Sequence, residues 1–273
     1  MPGRWRRSGI QTEMSTAIQS AYSVEGTGPP LVLIHGIGAS RHSWDGLIRN
    51  LKSDFRCVSY DLRGHGLSPS PEPPYSLDDL VEDVEALRRE LHIDKAHFAG
   101  HSLGGMIGPA YARRYPDRVL SLGLYSTAAF RTADDSAKVR GVVAAMRAKG
   151  IPPVLETLKE RWFTPEFAAR SPEVIERRMQ QVIDTDREVF LSVFDIYAET
   201  EMAPWIGEVR HPSLVLTGEN DGGCSPRLNA QIAAAMPNAE LAILPALRHA
   251  ILLEAPQVVA PPVLDFLRRQ ARV

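Results

Sequence analysis

Six short apolar runs recur along the chain, and they end at or near glycine, aspartate or proline. They lie at residues 31–36 (LVLIHG), 55–61 (FRCVSYD), 96–100 (AHFAG), 119–125 (VLSLGLY), 213–218 (SLVLTG) and 239–245 (AELAILP). Continuous apolar runs of this length are typical of strands that are buried on both faces, as in a parallel sheet. The pattern therefore predicts a mostly parallel sheet.

Helical periodicity fills segments between these runs. Residues 76–91 (SLDDLVEDVEALRREL) carry one apolar stripe, with acids early and arginines late, as the helix dipole favours. The stripe consists of Leu77, Leu80, Val81, Val84, Leu87 and Leu91. Alternation of strand and helix predicts an α/β fold with right-handed crossovers. Residues 21–28 (AYSVEGTG), ahead of the first buried run, predict an antiparallel edge hairpin.

The alternation breaks down between residues 128 and 205. This stretch holds several helix-like pieces with bulky apolar side chains and no convincing strand, and the strand pattern resumes at Leu214. A chain of 273 residues with 44% hydrophobic content can bury a sizeable core. We therefore predict a core made of residues 1–127 and 206–273, with a helical cap inserted at residues 128–205.

Charge and cysteine content exclude several classes of partner. The 31 basic and 33 acidic side chains leave a net charge of −2, which gives no reason to expect nucleic acid or a membrane as a partner. The two cysteines, Cys57 and Cys224, suggest neither disulfides nor a zinc cluster, and the eight histidines lack metal-site spacing. The N-terminus lacks an apolar signal region, and no long uncharged apolar stretch follows. We expect a soluble cytoplasmic protein without a metal ion.

The residues from Gly100 to Gly104 (GHSLG) match the pattern G-x-S-x-G, in which a serine occupies a tight turn between a strand and a helix. In such a turn the strained backbone exposes the serine hydroxyl above the sheet. The two glycines are explained by the close crossing of strand and helix, where side chains would collide. This context predicts that Ser102 is a nucleophile and not part of a plain glycine-rich turn.

A serine hydroxyl needs a histidine base and an acid that orients the histidine. Asp221 follows the penultimate apolar run, and His249 follows the last one, in the chain order Ser, Asp, His. Because the carboxyl ends of parallel strands share one edge of the sheet, these residues can meet there. Glu219 is an alternative to Asp221 as the acid.

Acyl transfer also needs donors for the developing oxyanion. The backbone N–H of Leu103, directly after the serine, is one candidate. Residues 35–40 (HGIGAS) follow an early strand and offer a second, the backbone N–H of Ile37, whose glycine neighbours allow a close approach to substrate.

With these motifs in order, the sequence resembles the α/β-hydrolase family. The resemblance covers residues 21–127 and 206–268 and is carried by "HGIG", "YDLRGHGLS", "GHSLGG", "GENDGG" and "RHAILLEAP". Within the family, "YSTAAF" and "RWFTPEF" resemble the group around the 3-oxoadipate enol-lactonases. The resemblance implies a doubly wound, eight-stranded, mostly parallel sheet with an inserted cap.

The resemblance also implies a mechanism. Ser102 attacks an acyl carbon, His249 acts as base and then as acid, and Asp221 holds the imidazole, so that an acyl-enzyme forms and water hydrolyses it. A serine at this position argues against haloalkane dehalogenases and epoxide hydrolases, which the family resemblance associates with an aspartate there. The other nearby histidines have structural roles by this resemblance: His35 braces the oxyanion loop, and His65 and His101 are loop and packing residues.

The substrate is less well defined by the sequence. We expect a small molecule, and a carboxylated one would need cationic anchors. Candidate contacts are Arg41, Arg131, Arg161 and Trp162. No glycine-rich phosphate loop of the form G-x-G-x-x-G is present, so no nucleotide cofactor is expected.

Three readings of the function stay open. The first is a hydrolase of small carboxylic esters or enol-lactones. The second is a hydrolase of an activated C–C bond or an amide in a carboxylated ring-fission product. The third is a ligand-binding receptor that keeps the pocket without turnover. For all three we expect a monomer or a small homo-oligomer.

Overall fold

A computed structural model describes residues 17–271; the N-terminal segment, for which we predict no signal peptide, lies partly outside this range. Its centre is a seven-stranded sheet in the order β1-β3-β2-β4-β5-β6-β7. The strands are β1 Tyr22–Glu25, β2 Pro30–Ile34, β3 Arg56–Tyr60, β4 Ala96–His101, β5 Val119–Tyr125, β6 Ser213–Gly218 and β7 Ala239–Leu244. All neighbouring pairs are parallel except β1 and β3. Each of the six predicted apolar runs therefore forms a strand.

The predicted strand count and the predicted hairpin are both wrong for residues 17–271. The sheet there has seven strands and not eight. Residues 21–28 supply a single edge strand, which pairs with β3 through Tyr22 and Tyr60 and not with β2. The reason is the strand order, because β2 lies between β3 and β4 and is not a neighbour of β1. The turn at Gly26 and Gly28, both at positive φ, leads the chain away from β1 and not back along it.

Helices cover both faces of the sheet. Those outside the long insertion are α1 Asp45–Leu51, α2 Leu77–Glu90, α3 Gly104–Arg114, α9 Pro226–Ala235, α10 Ile251–Glu254 and α11 Pro256–Gln270. One core cluster joins a sheet face to α2, α3 and α9, and the other joins the opposite face to α1 and α11. The predicted apolar stripe of α2 is confirmed, because Leu80, Val81 and Leu87 lie in the first cluster.

Five helices lie between β5 and β6: α4 Ala133–Lys149, α5 Ile151–Trp162, α6 Pro165–Arg170, α7 Pro172–Asp184 and α8 Arg187–Glu199. Three of them begin with a side-chain cap that fits the sequence, which for α8 is Asp186. Thr132 and Asp135 form a reciprocal capping box at α4, and Thr164 caps α6. These inserted helices share a third apolar cluster, and Ile37 and Ala250 from loops beyond the sheet and Leu253 from α10 pack against it.

The strand register places several loops side by side. Ile34 pairs with both Tyr60 and Gly100, His101 pairs with Tyr125, and Gly218 pairs with Leu244. The carboxyl ends of β2, β4, β6 and β7 therefore lie along one edge, beneath the inserted helices. Among the helices of residues 17–271, none combines the length and the apolar character that a membrane crossing requires.

Candidate active site

Ser102 lies at the tight turn between β4 and α3. Its φ of 56° is in the left-handed region, which costs a residue with a side chain about 1–2 kcal/mol. The turn is held by the Ser102 N–H, which donates to the Tyr125 carbonyl at 2.9 Å, and by the Thr127 hydroxyl, which donates to the Ser102 carbonyl at 2.8 Å. The serine backbone is thus fixed while the hydroxyl makes no hydrogen bond to any residue in 17–271.

The flanking glycines are required by backbone contacts. A Cβ on Gly100 would lie 1.9 Å from the Gly104 carbonyl oxygen, and a Cβ on Gly104 would lie 2.1 Å from the Ile34 carbonyl oxygen. Backbone atoms cannot yield to such contacts as the end of a flexible side chain can. The spacing in G-x-S-x-G therefore follows from the crossing of β4, β2 and α3.

His249 and Asp221 meet across the loops that follow β7 and β6. The Nδ1 of His249 lies 2.7 Å from the Oδ2 of Asp221, which is buried. The other oxygen of Asp221 accepts the N–H groups of Gly223 and Cys224 at 3.0 and 2.8 Å. Glu219, the alternative acid, accepts the Ala246 N–H instead and is exposed. The geometry favours Asp221 as the partner of His249.

Asp221 and His249 each shift the pKa of the other. Burial alone would lower the pKa of His249, but the charge of the Asp221 carboxylate and its hydrogen bond raise that pKa above its ordinary value. Burial would likewise raise the pKa of Asp221, yet the His249 charge and the hydrogen bonds from His249, Cys224 and Gly223 lower it. Asp221 is thus an anion that stabilises the imidazolium form.

Ser102 and His249 line one cavity under the inserted helices, together with Ile37, Trp162 and Tyr197. His101 also lines it and lies beside His249, with ring centroids 4.9 Å apart and its Nε2 donating to the His249 carbonyl at 2.9 Å. Ser102 and His249 therefore lie in the wall of the same cavity.

The loop at residues 35–38, for which the sequence predicts a role in oxyanion binding, is braced by two histidines. The Nδ1 of His35 donates to the Gly36 carbonyl at 2.7 Å, and its Nε2 accepts the Leu62 N–H at 3.0 Å. The Nε2 of His65 accepts the Gly38 N–H at 3.0 Å. Burial lowers the pKa of both rings, that of His65 to about 4, so both stay neutral and keep an acceptor nitrogen.

Two backbone donors near Ser102 are free. The N–H groups of Ile37 and Leu103 donate no hydrogen bond to another residue within 17–271. Leu103 precedes the first turn of α3, where the helix dipole favours negative charge. These are the two N–H groups for which the sequence predicts a role in oxyanion binding.

The predicted substrate contacts divide into two sets. Arg131, Arg161 and Trp162 line the cavity. Arg41 is not among the lining residues: its guanidinium donates to Asp61 and, at 3.1 Å, to the Ser23 hydroxyl. Asp61 directly follows β3, at the carboxyl ends of the strands, and its carboxylate holds the Arg41 guanidinium away from the cavity. Arg161 is exposed, whereas a terminal nitrogen of Arg131 is buried without a partner among residues 17–271.

Sequence comparison assigns the family. The model of the alpha/beta hydrolase fold family matches residues 29–256, which is most of the chain. The chain belongs to the α/β-hydrolase family. Its predicted membership and its enzyme class are thereby confirmed.

Individual α/β-hydrolases are similar over most of their length. The 3-oxoadipate enol-lactonase 2 of Acinetobacter baylyi is 30% identical over 210 residues, which are 77% of this chain and 78% of that protein. A hydrolase from Pseudomonas aeruginosa PA01 superposes with a TM-score of 0.85 at 33% identity, covering 93% of this chain and 96% of that one. The enol-lactonase from Burkholderia xenovorans LB400 does so with a TM-score of 0.84 at 28% identity, covering 91% and 96%.

The cavity residues of this α/β-hydrolase that the sequence analysis did not single out include Arg178 and Cys224. Arg178 lies on α7 and lines the cavity. Arg178 lies three residues after Ile175 and four before Val182, so it is a cation beside the apolar stripe of α7. This pattern is a signal that the sequence does offer. Cys224 is buried in the cavity wall, and the Tyr197 hydroxyl lies 3.2 Å from its sulfur. A cysteine in a loop carries no comparable signal.

Asp221, Cys224 and His249 form a group whose potential ligand atoms all lie within 4.8 Å of one another. The group does not suit a tetrahedral metal ion as it stands. Ligand atoms about 2.0–2.2 Å from such an ion lie more than roughly 3 Å apart, whereas the Asp221 and His249 atoms are 2.7 Å apart and share a proton. The arrangement is that of a hydrogen-bonded pair.

Proposed function

We propose that this α/β-hydrolase cleaves a small carboxylic ester or enol-lactone through an acyl-enzyme on Ser102. The observation that carries the proposal is that the His249 imidazole is fixed by Asp221 and that His249 lines the same cavity as Ser102. A receptor that only binds a ligand would gain nothing from a base held in this way.

The proposed reaction has two halves. In the first, His249 takes the proton of Ser102 as its oxygen attacks the carbonyl carbon, and the imidazolium then protonates the leaving oxygen as the C–O bond breaks. In the second, His249 takes a proton from water, whose oxygen attacks the acyl carbon, and the imidazolium then returns a proton to the Ser102 oxygen as its bond to the acyl carbon breaks and the acid leaves. The N–H groups of Ile37 and Leu103 stabilise the oxyanion in both halves, at about 3–4 kcal/mol for such a donor.

The cavity favours a carboxylated substrate. The guanidinium of Arg131 stacks on the Tyr197 ring at 4.5 Å and donates to the Thr200 carbonyl at 3.0 Å, while its other terminal nitrogen is buried without an acceptor from the described residues 17–271. A substrate carboxylate would supply that acceptor. The two enol-lactonases to which the chain is similar support an enol-lactone as the scissile group.

Stopped-flow kinetics with p-nitrophenyl butyrate tests the proposed function. We expect a burst of p-nitrophenol whose amplitude matches the enzyme concentration, followed by slower turnover. A panel of enol-lactones, vinylogous 1,5-diketones and acylaminomethylene acids then separates ester, C–C and amide cleavage. Tight product retention after a single slow turnover would support a receptor, and absence of any burst together with a Ser102 that a fluorophosphonate leaves unlabelled would refute the acyl-enzyme.

Replacing Arg131 with glutamine should reduce selectivity for an anionic acyl group. Because a hydrogen bond to a charged group contributes about 1.5–3 kcal/mol, we expect kcat/KM for mono-p-nitrophenyl succinate to fall about tenfold or more. The value for p-nitrophenyl butyrate should stay within about twofold. Arg177→Gln is the matched control, since Arg177 is exposed and is not among the residues that line the cavity; an equal loss on both esters in Arg131→Gln would refute the anchor.

The pH profile should report the Asp221–His249 pair. The base must be the neutral imidazole, and the pKa of His249 is raised above 6.5 by Asp221, so kcat/KM should rise with pH through a midpoint above 6.5. Asp221→Asn removes the cause of the shift, so we expect a lower midpoint and a plateau reduced by several orders of magnitude. A midpoint that does not move in Asp221→Asn would contradict this assignment.

A further inference from the structure

Arg178 connects an inserted helix to the loop at residues 35–38. From α7, its two terminal nitrogens donate to the carbonyl oxygens of Ile37 and Gly38, at 2.9 and 2.5 Å. The guanidinium also lies over the Trp162 ring, 5.2 Å from its centroid. One planar cation thus spans two consecutive peptide carbonyls of the loop.

These contacts act on the peptide group between Ile37 and Gly38, which follows the free N–H of Ile37. In a trans peptide the C=O and the N–H point in opposite directions. His35 holds the Gly36 carbonyl, so the Ile37 N–H of that peptide points away from His35. Arg178 holds the Ile37 carbonyl and His65 holds the Gly38 N–H, so the next peptide is fixed at both ends. The orientation of the Ile37 N–H is therefore set from both sides.

The guanidinium of Arg178 is shielded from solvent, and its hydrogen-bond partners within residues 17–271 are carbonyl oxygens. No carboxylate lies within 4.0 Å of its guanidinium among residues 17–271. Burial lowers the pKa of Arg178 to about 10, which shows that the environment disfavours its charge. Such a group costs stability, so packing alone gives no reason for a cation at this position.

The neighbouring inserted segment holds the loop of His249. The Trp162 carbonyl accepts the Ala250 N–H at 2.9 Å, and the Phe163 carbonyl accepts a nitrogen of Arg248 at 2.9 Å. Trp162 therefore contacts Arg178 through its ring and the His249 loop through its backbone. The inserted helices brace both loops that approach Ser102.

We propose that Arg178 is a positioning residue that aims the Ile37 N–H at the reacting acyl oxygen and makes the oxyanion hole depend on the docking of α7. This role rests on the proposed acyl-enzyme mechanism, but it is distinct from binding a substrate carboxylate. A carboxylate anchor would act on KM for anionic substrates, whereas a positioning residue acts on kcat for neutral ones as well.

Steady-state kinetics of Arg178→Met and Arg178→Lys on p-nitrophenyl butyrate test this role. Loss of one oxyanion donor costs about 10²–10³ in kcat, and misplacement of a donor should cost less. We expect kcat to fall about 30-fold in Arg178→Met and about tenfold in Arg178→Lys, because an ammonium lacks the planar fork that spans two carbonyls. KM should stay within about threefold, and Arg177→Met, an exposed neighbour on α7, should match the unsubstituted protein.

The inhibition constant of a trifluoromethyl ketone is the readout that a merely structural role of Arg178 would leave unchanged. It adds to a serine hydroxyl and forms a tetrahedral oxyanion, so its inhibition constant should weaken in proportion to the loss in kcat. If Arg178→Met does not fold, Arg178→Lys carries the same comparison. An unchanged kcat on the neutral ester, a loss confined to KM for mono-p-nitrophenyl succinate, or an unchanged inhibition constant would each overturn the proposal. Failure of the proposed function itself would appear separately, as absence of a burst in the unsubstituted protein together with a Ser102 that a fluorophosphonate leaves unlabelled.

Discussion

Replacing Ser102 with alanine is expected to reduce turnover of p-nitrophenyl butyrate by at least about 10⁴-fold. Without the hydroxyl no acyl-enzyme can form, and only binding and the oxyanion donors remain to accelerate attack by water. The melting temperature should change little. The Ser102 hydroxyl has no hydrogen-bond partner within residues 17–271, and alanine meets the same backbone cost at a φ of 56°.

Ser43→Ala is the matched control for this prediction. Ser43 also lines the cavity, but its hydroxyl donates to the Ser40 carbonyl at 2.8 Å and is not placed in the catalytic machinery. Its turnover should stay within a few fold of the unsubstituted protein. Turnover in Ser102→Ala within tenfold of normal, or a fall in melting temperature comparable to a core truncation, would contradict the placement of Ser102.

Replacing Gly100 with alanine is expected to destabilise the fold by more than about 4 kcal/mol, enough to unfold many domains. The new Cβ would lie 1.9 Å from the Gly104 carbonyl oxygen and 2.1 Å from the Gly104 carbonyl carbon. Relief of that contact requires β4 and α3 to separate, and both belong to the main core cluster. Thermal and urea unfolding measure the effect.

Gly141→Ala provides the opposite case. Gly141 lies in α4, and a Cβ there would meet nothing within 4 Å. Because alanine is the better helix former, we expect a gain of about 1 kcal/mol. A Gly100→Ala variant that unfolds at the same urea concentration as Gly141→Ala would show that the crossing of β4 and α3 is looser than the structure indicates.

The strands could be predicted because a strand buried on both faces leaves a local record. Residues 31–36 and 213–218, for example, are continuous apolar runs, and both form inner strands. The edge was harder. Tyr22 could be assigned to a strand, but its partner Tyr60 could not be found, because the choice between pairing with β2 and with β3 depends on the order of strands and not on local pattern.

The site residues likewise divide into those that the sequence predicts and those that it does not. Asp221 and His249 could be proposed because they follow strands whose ends share an edge, and chain order limits the choices. The arginines could not be sorted, since each outcome depends on hydrogen-bond partners that are distant in the sequence. Asp61 holds Arg41 away from the cavity, while a turn of the inserted helices brings Arg178 onto the loop at Ile37, 141 positions earlier in the chain.

Peptide mapping by mass spectrometry after treatment with a fluorophosphonate tests the central claim most directly. Ser102, Ser43 and Cys224, which all line the described part of the cavity, lie on different tryptic peptides, so the labelled residue can be identified. We expect one label per chain, on Ser102, with little labelling in His249→Ala. A label on Cys224, or an unlabelled Ser102 in active protein, would contradict the account.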